Sequence, residues 1–213
     1  MPDQSSNSIR DSYDRVAEEY ARRIFDELQH KPFDRQLLDR FAARIPKNGQ
    51  VCDMGCGPGH VARYLHDAGV SILGLDLSAA MVNQARKLNP GMLFREGNMM
   101  ALDLPNGTLS AITAFYAIVN IAKTSLPLVF SEMARVLHPG GLLLLAFHTG
   151  KDIIREEELW GFPIAMDFLL FQPSEIVALL REAGFVVEEI LERDPYPDFE
   201  YPSHRAYILA LRP

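Results

Sequence analysis

Short apolar runs alternate with amphipathic helical stretches along most of this chain, and this alternation limits the possible folds more than any other feature. The runs lack the polar alternation of a strand with one solvated face, which is typical of strands buried on both faces of a parallel sheet. The predicted strands are residues 50–54, 70–76, 92–96, 109–115, 141–147, 185–192 and 204–211. The predicted helices between them are residues 33–44, 61–67, 79–88, 126–137 and 174–183. This order predicts an α/β fold with a doubly wound parallel sheet and helices on both faces.

The last two predicted strands depart from this order. They are joined by the stretch RDPYPDFEYPS, residues 193–203, which is too short and too rich in proline for a crossover helix. Parallel neighbours need a crossover connection, whereas antiparallel neighbours do not. The sequence therefore predicts that the sheet ends with a reversed strand.

Length and charge narrow the class of protein. A chain of 213 residues suits one α/β domain, so we expect a single domain over residues 1–213. The net charge of −7 and the absence of any run of five Lys or Arg argue against a nucleic-acid partner. The longest apolar run, residues 141–147, is too short to cross a bilayer, and the first residues do not resemble a secretory signal. We expect a cytoplasmic protein with no membrane insertion, present as a monomer or homodimer.

A glycine-rich turn, VCDMGCGPGH at residues 51–60, follows the first predicted strand and leads into a helix. In α/β sheets such a turn borders a ligand crevice. The glycines are Gly55, Gly57 and Gly59, whereas a dinucleotide fingerprint would place its third glycine at the position of His60. This difference weakens the pyrophosphate interpretation. The two cysteines, Cys52 and Cys56, lie close together in this stretch, and we predict neither a disulfide nor a metal site.

An acidic residue, Asp76, ends the second predicted strand in the sequence GLDLS. A carboxylate at this point can accept hydrogen bonds from both vicinal hydroxyls of a ribose. The competing interpretation, a helix N-cap, is less favoured because Ser78 is already placed for that role. We therefore predict that Asp76 binds a nucleoside.

Four blocks of this sequence together resemble the class I S-adenosylmethionine-dependent methyltransferases. They are VCDMGCGPGH, GLDLS, GNMMALDLPNGTLSAITAFYAIVNI and VLHPGGLLLLAF, in the order and spacing of that family. The resemblance implies a Rossmann-like seven-stranded sheet of order 3-2-1-4-5-7-6 with strand 7 antiparallel. It also implies S-adenosyl-L-methionine as cofactor, S-adenosyl-L-homocysteine as product, and a small-molecule methyl acceptor.

The same resemblance implies a set of cofactor-binding residues. Gly55 and Gly57 would let the methionyl part approach the backbone, and Asp76 would bind the ribose. Leu77 and Met81 would pack on the adenine, beside Asn98, which stands where the family usually has an acidic residue. The full predicted set is Tyr13, Tyr20, Asp53, Gly55, Cys56, Gly57, Asp76, Leu77, Met81, Asn98, Met99 and Phe115.

The stretch SYDRVAEEYARRI resembles the family's opening helix, within an N-terminal helical cap of residues 1–45. Tyr13 and Tyr20 lie seven residues apart and so share one helical face. An aromatic face favours a sulfonium cation, which suits a role over the cofactor. An ordinary core-facing stripe with Val16 and Ile24 is equally compatible with the spacing.

The predicted catalytic residues are His148, directly after the fifth strand, and Tyr116, after the fourth. A general base is needed only if the acceptor is protonated. The alternative for His148 is a structural role, as a loop histidine whose hydrogen bonds are satisfied by its neighbours. Residues 148–172 form the predicted lid, whose charged first half we expect to be helical. The predicted acceptor pocket in this lid consists of Trp160, Phe162, Met166 and Phe168, although these residues would also seal a sheet edge.

These observations favour methyl transfer to a small organic acceptor by in-line displacement. Carbon methylation of a quinone-like or lipid-like acceptor is a second hypothesis. A non-catalytic S-adenosylmethionine or S-adenosylhomocysteine binding module is a third, and a nicotinamide-dependent oxidoreductase, opposed by His60, is a fourth. The stretch AFYAIVNI after the fourth strand disfavours methylation of nucleobases or glutamine amides, because it lacks an NPPY-like motif.

Overall fold

A computed structural model describes residues 6–213 of the chain. The helices are α1 (Ser6–Ile24), α2 (Pro32–Ala42), α3 (His60–Asp67), α4 (Ala79–Leu88), α5 (Leu126–Val136) and α6 (Pro173–Glu182). The strands are β1 (Gln50–Met54), β2 (Ser71–Asp76), β3 (Leu93–Glu96), β4 (Leu109–Phe115), β5 (Leu137–His148), β6 (Ile153–Leu159), β7 (Phe162–Leu169), β8 (Val186–Arg193) and β9 (Arg205–Leu211). Short 3-10 helices occupy Glu27–His30 and Lys123–Ser125.

Seven strands form one sheet in the order β3-β2-β1-β4-β5-β9-β8. The pairs from β3 to β5 are parallel, whereas β9 is antiparallel to both β5 and β8. The prediction of a doubly wound sheet with a reversed last strand is therefore confirmed. The strand numbers differ from the family order because β6 and β7 form a separate two-stranded sheet.

Helices cover both faces of the sheet, and alternate strand residues point to opposite faces. One face packs against α5 and α6, and it receives Leu143 and Leu145 of β5. The other packs against α2, α3 and α4, and it receives Leu142 and Leu144. Burial on both sides explains why these strands are almost wholly apolar.

The first half of the predicted lid is a strand, so the expectation of a helix there is wrong. Residues 153–159 form β6, which pairs antiparallel with β7, and Arg155 bonds to Asp167 across the pair at 3.0 Å. The hairpin turns at Trp160 and Gly161, whose φ angles are +53° and +87°. Two successive positive φ angles suit a two-residue hairpin turn and end any helix. Only Gly161 of this pair is a residue that favours positive φ, so the sequence carried a weak signal for the turn.

The boundary between α5 and β5 also differs from expectation. Helix α5 ends at Val136, and β5 begins at Leu137, four residues earlier than predicted. The register of β5 shifts against β4 after Leu109, which accommodates the two glycines Gly140 and Gly141. No helix within residues 6–213 is both long and apolar enough to cross a membrane.

Candidate active site

The carboxyl ends of β1, β2 and β4 border a cavity of about 350 Å³, the first cavity, which is partly covered by α1. Eleven of the twelve residues predicted to bind a cofactor line it. They are Tyr13, Tyr20, Gly55, Cys56, Gly57, Asp76, Leu77, Met81, Asn98, Met99 and Phe115. The structure thus brings together residues that are more than 100 positions apart in the sequence.

The three glycines of the turn serve different purposes. A Cβ on Gly57, whose φ is +53°, would lie 3.8 Å from Tyr20 Cε1 with no closer contact, so this glycine borders open space in the first cavity. A Cβ on Gly55 would lie 2.5 Å from that of Ala117, so Gly55 also permits close packing of the chain. Gly59 is the N-cap of α3 and has a φ of +84°. Gly57 is therefore the glycine best suited to close approach of a ligand.

The Asp76 carboxylate organises the entry to two helices. Its Oδ2 accepts a hydrogen bond from the Gly57 N–H at 2.8 Å, and its Oδ1 accepts one from the Ser78 N–H at 2.9 Å. Ser78 caps α4 by accepting from the Met81 N–H at 3.0 Å, which confirms its predicted N-cap role. Burial raises the pKa of Asp76, and the two backbone N–H groups oppose that rise. Each carboxylate oxygen keeps a lone pair for a ligand hydroxyl.

Asp53 does not line the first cavity. It is 2 % exposed, and its Oδ1 accepts a hydrogen bond from the Thr113 hydroxyl at 2.8 Å. Burial raises its pKa to about 6, while the Thr113 hydroxyl and His60 lower it. Its Oδ2 has no hydrogen-bond partner within residues 6–213. The structure therefore gives no support for direct contact between Asp53 and a ligand in the first cavity.

The lining of the first cavity contains both apolar and polar side chains. Met81 is 2 % exposed and packs also against Val16 of α1. The Asn98 side-chain oxygen accepts a hydrogen bond from the Met100 N–H at 2.9 Å, so part of its acceptor capacity is used within its own turn. The thiol of Cys56 is buried, which raises its pKa well above the usual value.

The two tyrosines of α1 line the first cavity and also pack against the cluster that contains Val16. Their rings lie 6.1 Å apart at 79°, and both line the first cavity. The Tyr13 hydroxyl donates to Asn120 Oδ1 at 2.7 Å, and the Asn120 amide donates to the Asp167 carbonyl at 2.9 Å. This chain of bonds ties α1 to the β6–β7 hairpin.

A second cavity of about 500 Å³ lies under the hairpin and the chain between β8 and β9. Of the four residues predicted for an acceptor pocket, Trp160 and Phe168 line it. Met166 is wholly buried and packs with Val16 and Ala17, whereas Phe162 is 39 % exposed, and neither lines the cavity. Phe162, Met166 and Phe168 are an even number of residues apart on β7, so strand alternation does not separate them. Packing against α1 buries Met166, and Phe162 lies at the exposed start of the strand.

Four residues line both cavities: Tyr13, Tyr20, Glu27 and Tyr116. They form the boundary between the two spaces, which we call the shared wall. Tyr116 has a φ of +54°, a strained value for a residue with a side chain. Its hydroxyl lies 3.3 Å from that of Tyr207, which donates to Asp34 Oδ1 at 2.7 Å. Such a supported ring is held in one orientation.

His148 lines the second cavity, at the carboxyl end of β5. Its Nδ1 lies 2.7 Å from Ser203 Oγ, and its ring centre lies 4.8 Å from that of Tyr116. Burial lowers the pKa of His148 to about 4, with further lowering by the charges of Arg205 and Lys31. Near neutral pH the imidazole is uncharged, and the tautomer that donates to Ser203 leaves Nε2 with a lone pair.

A group of charged residues beside the shared wall was missed by the sequence analysis. Glu27 bonds to His60 Nε2 at 3.1 Å and to Lys31 Nζ at 2.8 Å, and Lys31 lies 3.3 Å from Glu200. Glu200 also lies 3.2 Å from Arg205 Nε. Glu27, Lys31 and Glu200 come from a short 3-10 helix and irregular segments that carry no periodic pattern, so no sequence signal pointed to them. His60 and Arg205 are the first residues of α3 and β9.

Comparison with known proteins assigns the chain to a family. A family model described as a methyltransferase domain matches residues 51–141. A demethylmenaquinone methyltransferase from Beutenbergia cavernae is 30 % identical over 173 residues, which cover 71 % of this chain and 70 % of the relative. The chain belongs to the class I S-adenosylmethionine-dependent methyltransferases.

This chain covers a smaller share of the length of other methyltransferase relatives. A malonyl-(acyl-carrier protein) O-methyltransferase from Enterobacter lignolyticus is 27 % identical over 162 residues, or 75 % of this chain and 61 % of the relative. A second protein of that name, from Pectobacterium atrosepticum, is 32 % identical over 73 % of this chain and 59 % of the relative. The chain thus spans about three fifths of these two relatives.

Solved structures show the same fold. An S-adenosylmethionine-dependent methyltransferase from Methanosarcina mazei superposes with a TM-score of 0.73 at 16 % identity, covering 81 % of this chain and 96 % of that one. The (4+2)-cyclase SpnF superposes with a TM-score of 0.74 at 18 % identity, covering 100 % of this chain and 98 % of that one. Because one neighbour is named a cyclase, the methyltransferase fold alone does not specify the reaction.

Proposed function

We propose that this chain transfers a methyl group from S-adenosylmethionine in the first cavity to a small organic acceptor in the second cavity. The observation that carries this proposal is the shared wall, where Tyr13, Tyr20, Glu27 and Tyr116 border both spaces. In-line displacement needs the acceptor and the methyl donor in contact along one axis. Two cavities that share a wall can provide that contact.

The residues that line the first cavity support binding of the cofactor there. Gly57 offers backbone next to open space, and Asp76 offers a carboxylate with spare lone pairs for ribose hydroxyls. We assign the adenine to Leu77 and Met81, with Asn98, Met99 and Cys56 close by, and the methionyl part to the space beside Phe115. When bound, the cofactor supplies an electrophilic methyl group on a sulfonium sulfur.

Positioning and exclusion of water are the main tasks left to the protein. The rings of Tyr13 and Tyr20 cover the cofactor side, and Tyr20 lies 5.8 Å from the ring of Trp160 at the tip of the hairpin. Arg23 of α1 lies 5.0 Å from the centre of the same Trp160 ring. These contacts hold the hairpin over the second cavity.

His148 is our candidate general base for an acceptor that must lose a proton. Its low pKa keeps the ring neutral, and its bond to Ser203 can orient Nε2 towards the second cavity. Tyr116 stands between His148 and the first cavity and would orient the acceptor.

A ring-containing acceptor with an apolar tail is the second candidate, with methylation at carbon. Two aromatic side chains that line the second cavity are also open to solvent: Phe199 is 58 % exposed and Tyr201 is 54 % exposed. Exposed aromatic residues at a cavity mouth suit a ligand whose apolar part extends outwards. A demethylmenaquinone methyltransferase among the relatives is consistent with this choice.

Methyl transfer can be tested without knowing the acceptor. The protein is incubated with S-adenosylmethionine that carries an isotopically labelled methyl group, together with fractionated polar and lipid metabolite extracts. We expect label in one organic fraction, and no label there with the Asp76→Ala variant. Binding of the cofactor with no labelled product from any fraction would support the non-catalytic binding module instead.

A further inference from the structure

Glu27 is the charged residue that lines both cavities within residues 6–213. It lies on the short helix Glu27–His30, after α1, and its side chain is 18 % exposed. Neither the glycine turn nor the strand ends contribute this residue. Its position raises the question of what a carboxylate does at the edge of a cofactor site.

The hydrogen bonds of Glu27 leave part of its capacity unused. Because an ionised carboxylate only accepts, His60 Nε2 donates to Oε1 at 3.1 Å, and Lys31 donates to Oε2 at 2.8 Å. Burial raises the pKa of Glu27, but the opposing effect of His60 and Lys31 is larger, so the pKa falls to about 2. An ionised carboxylate has about four lone-pair sites, so about two remain for another donor.

Charge in the first cavity favours a cationic ligand group. Glu27 and Asp76 line the cavity, whereas no Lys or Arg among residues 6–213 does so. Asp76 is engaged by the Gly57 and Ser78 N–H groups and is assigned to the ribose. Lys31 is shared between Glu27 and Glu200, which lie 2.8 and 3.3 Å from its Nζ. Glu27 is therefore the carboxylate available to a second cation.

The surroundings of Glu27 place it at one end of the cofactor. Its partner His60 directly follows Gly59, the last residue of the glycine turn, and lines the first cavity too. The open side of Gly57, which the family resemblance places beside the methionyl part, faces Tyr20. Tyr20 lines the cavity together with Glu27.

We infer that Glu27 binds the α-ammonium group of the cofactor's amino-acid end, with His60 as a positioning residue that orients the carboxylate. The inference rests on the proposed function, because it assumes that the cofactor occupies the first cavity. An ammonium group carries three N–H donors, which match the unused lone pairs of Glu27 and nearby carbonyl oxygens. Glu27 would thus recognise the zwitterionic end and leave the nucleoside to Asp76.

The test compares two ligands on three proteins by titration calorimetry. S-Adenosylhomocysteine has the amino-acid end, whereas 5′-methylthioadenosine keeps the nucleoside and the thioether without it. We expect Glu27→Gln to lower the affinity for S-adenosylhomocysteine about 10- to 100-fold. The affinity for 5′-methylthioadenosine should stay unchanged within about twofold. The control variant Glu18→Gln removes an exposed carboxylate of α1 and should change neither affinity.

Equal losses for both ligands, or no loss for either, would overturn the inference. If wild-type protein binds neither ligand, the proposed function itself fails, which is a separate outcome. If Glu27→Gln does not fold, the wild-type protein is titrated with an analogue in which hydrogen replaces the α-amino group. An affinity about tenfold or more below that of S-adenosylhomocysteine supports the inference, and an equal affinity contradicts it.

Discussion

The two cavities are built in different ways. The first cavity lies at the ends of β1, β2 and β4, which belong to one continuous sheet, and α1 covers part of it. The second is formed by side chains of α1, the β6–β7 hairpin and the chain between β8 and β9. Neighbouring strands of the sheet fix the base of the first cavity, whereas the second depends on contacts between separate elements. Substitutions in the second cavity should therefore change acceptor use and spare cofactor affinity.

Removing the Asp76 carboxylate should have the largest effect on the first cavity. Asp76→Ala removes the proposed ribose ligand and the acceptor of the Gly57 and Ser78 N–H groups. We expect affinity for S-adenosylhomocysteine to fall about 100-fold, as measured by calorimetry. Asp67→Ala, which removes an exposed carboxylate from α3, is the control and should bind normally. An unchanged affinity for Asp76→Ala would remove this residue from the site.

Alanine variants of two glycines distinguish the effect of backbone strain from the effect of close ligand approach. Gly57 and Gly69 both have positive φ, +53° and +88°, and an added Cβ would meet no protein atom closer than 3.8 Å at either. Alanine at either position should cost about 1 kcal/mol of stability. We expect only Gly57→Ala to lower the affinity for S-adenosylhomocysteine, by about tenfold, because the added methyl group enters the first cavity. Equal affinities of the two variants would show that the ligand does not approach Gly57.

Two phenylalanines of the hairpin test the second cavity. Phe168 lines it, whereas Phe162 lies on the same strand outside it. With an acceptor identified by the labelling experiment, Phe168→Ala should raise the KM for the acceptor about fivefold through lost apolar contact. Affinity for S-adenosylhomocysteine should not change. A similar rise in KM for Phe162→Ala would indicate a general effect on the hairpin and contradict the assignment.

The smallest expected effect concerns the pH dependence of stability. The pKa of His148 is about 4 in the folded protein, below its usual 6.5, so between these values the unfolded chain binds a proton that the folded chain does not. Stability should therefore fall as the pH is lowered from about 7 to 4, by on the order of 1 kcal/mol from this residue. In urea unfolding, His148→Asn should lose less stability over this range than wild type. The exposed control His66→Asn should behave as wild type.

The difference between the cavities also explains which of their residues could be predicted from the sequence. Apolar strands, glycine-rich turns and acidic residues at strand ends follow local patterns, so Gly57 and Asp76 were predicted together with the sheet that positions them. Residues such as Glu27, Lys31 and Ser203 reach the site through tertiary packing of irregular segments, which leaves no local pattern. Phe162 and Met166 were predicted for the acceptor pocket, but packing of the hairpin against α1 buries Met166 and leaves Phe162 at the exposed start of β7.

The central claim is that the first cavity holds S-adenosylmethionine and not a dinucleotide. Calorimetric titration of the wild-type protein with S-adenosylmethionine, S-adenosylhomocysteine and NAD tests it most directly. We predict binding of the first two with micromolar dissociation constants, corresponding to about −8 kcal/mol, and no measurable binding of NAD. Tight binding of NAD with no response to the other two ligands would contradict the account.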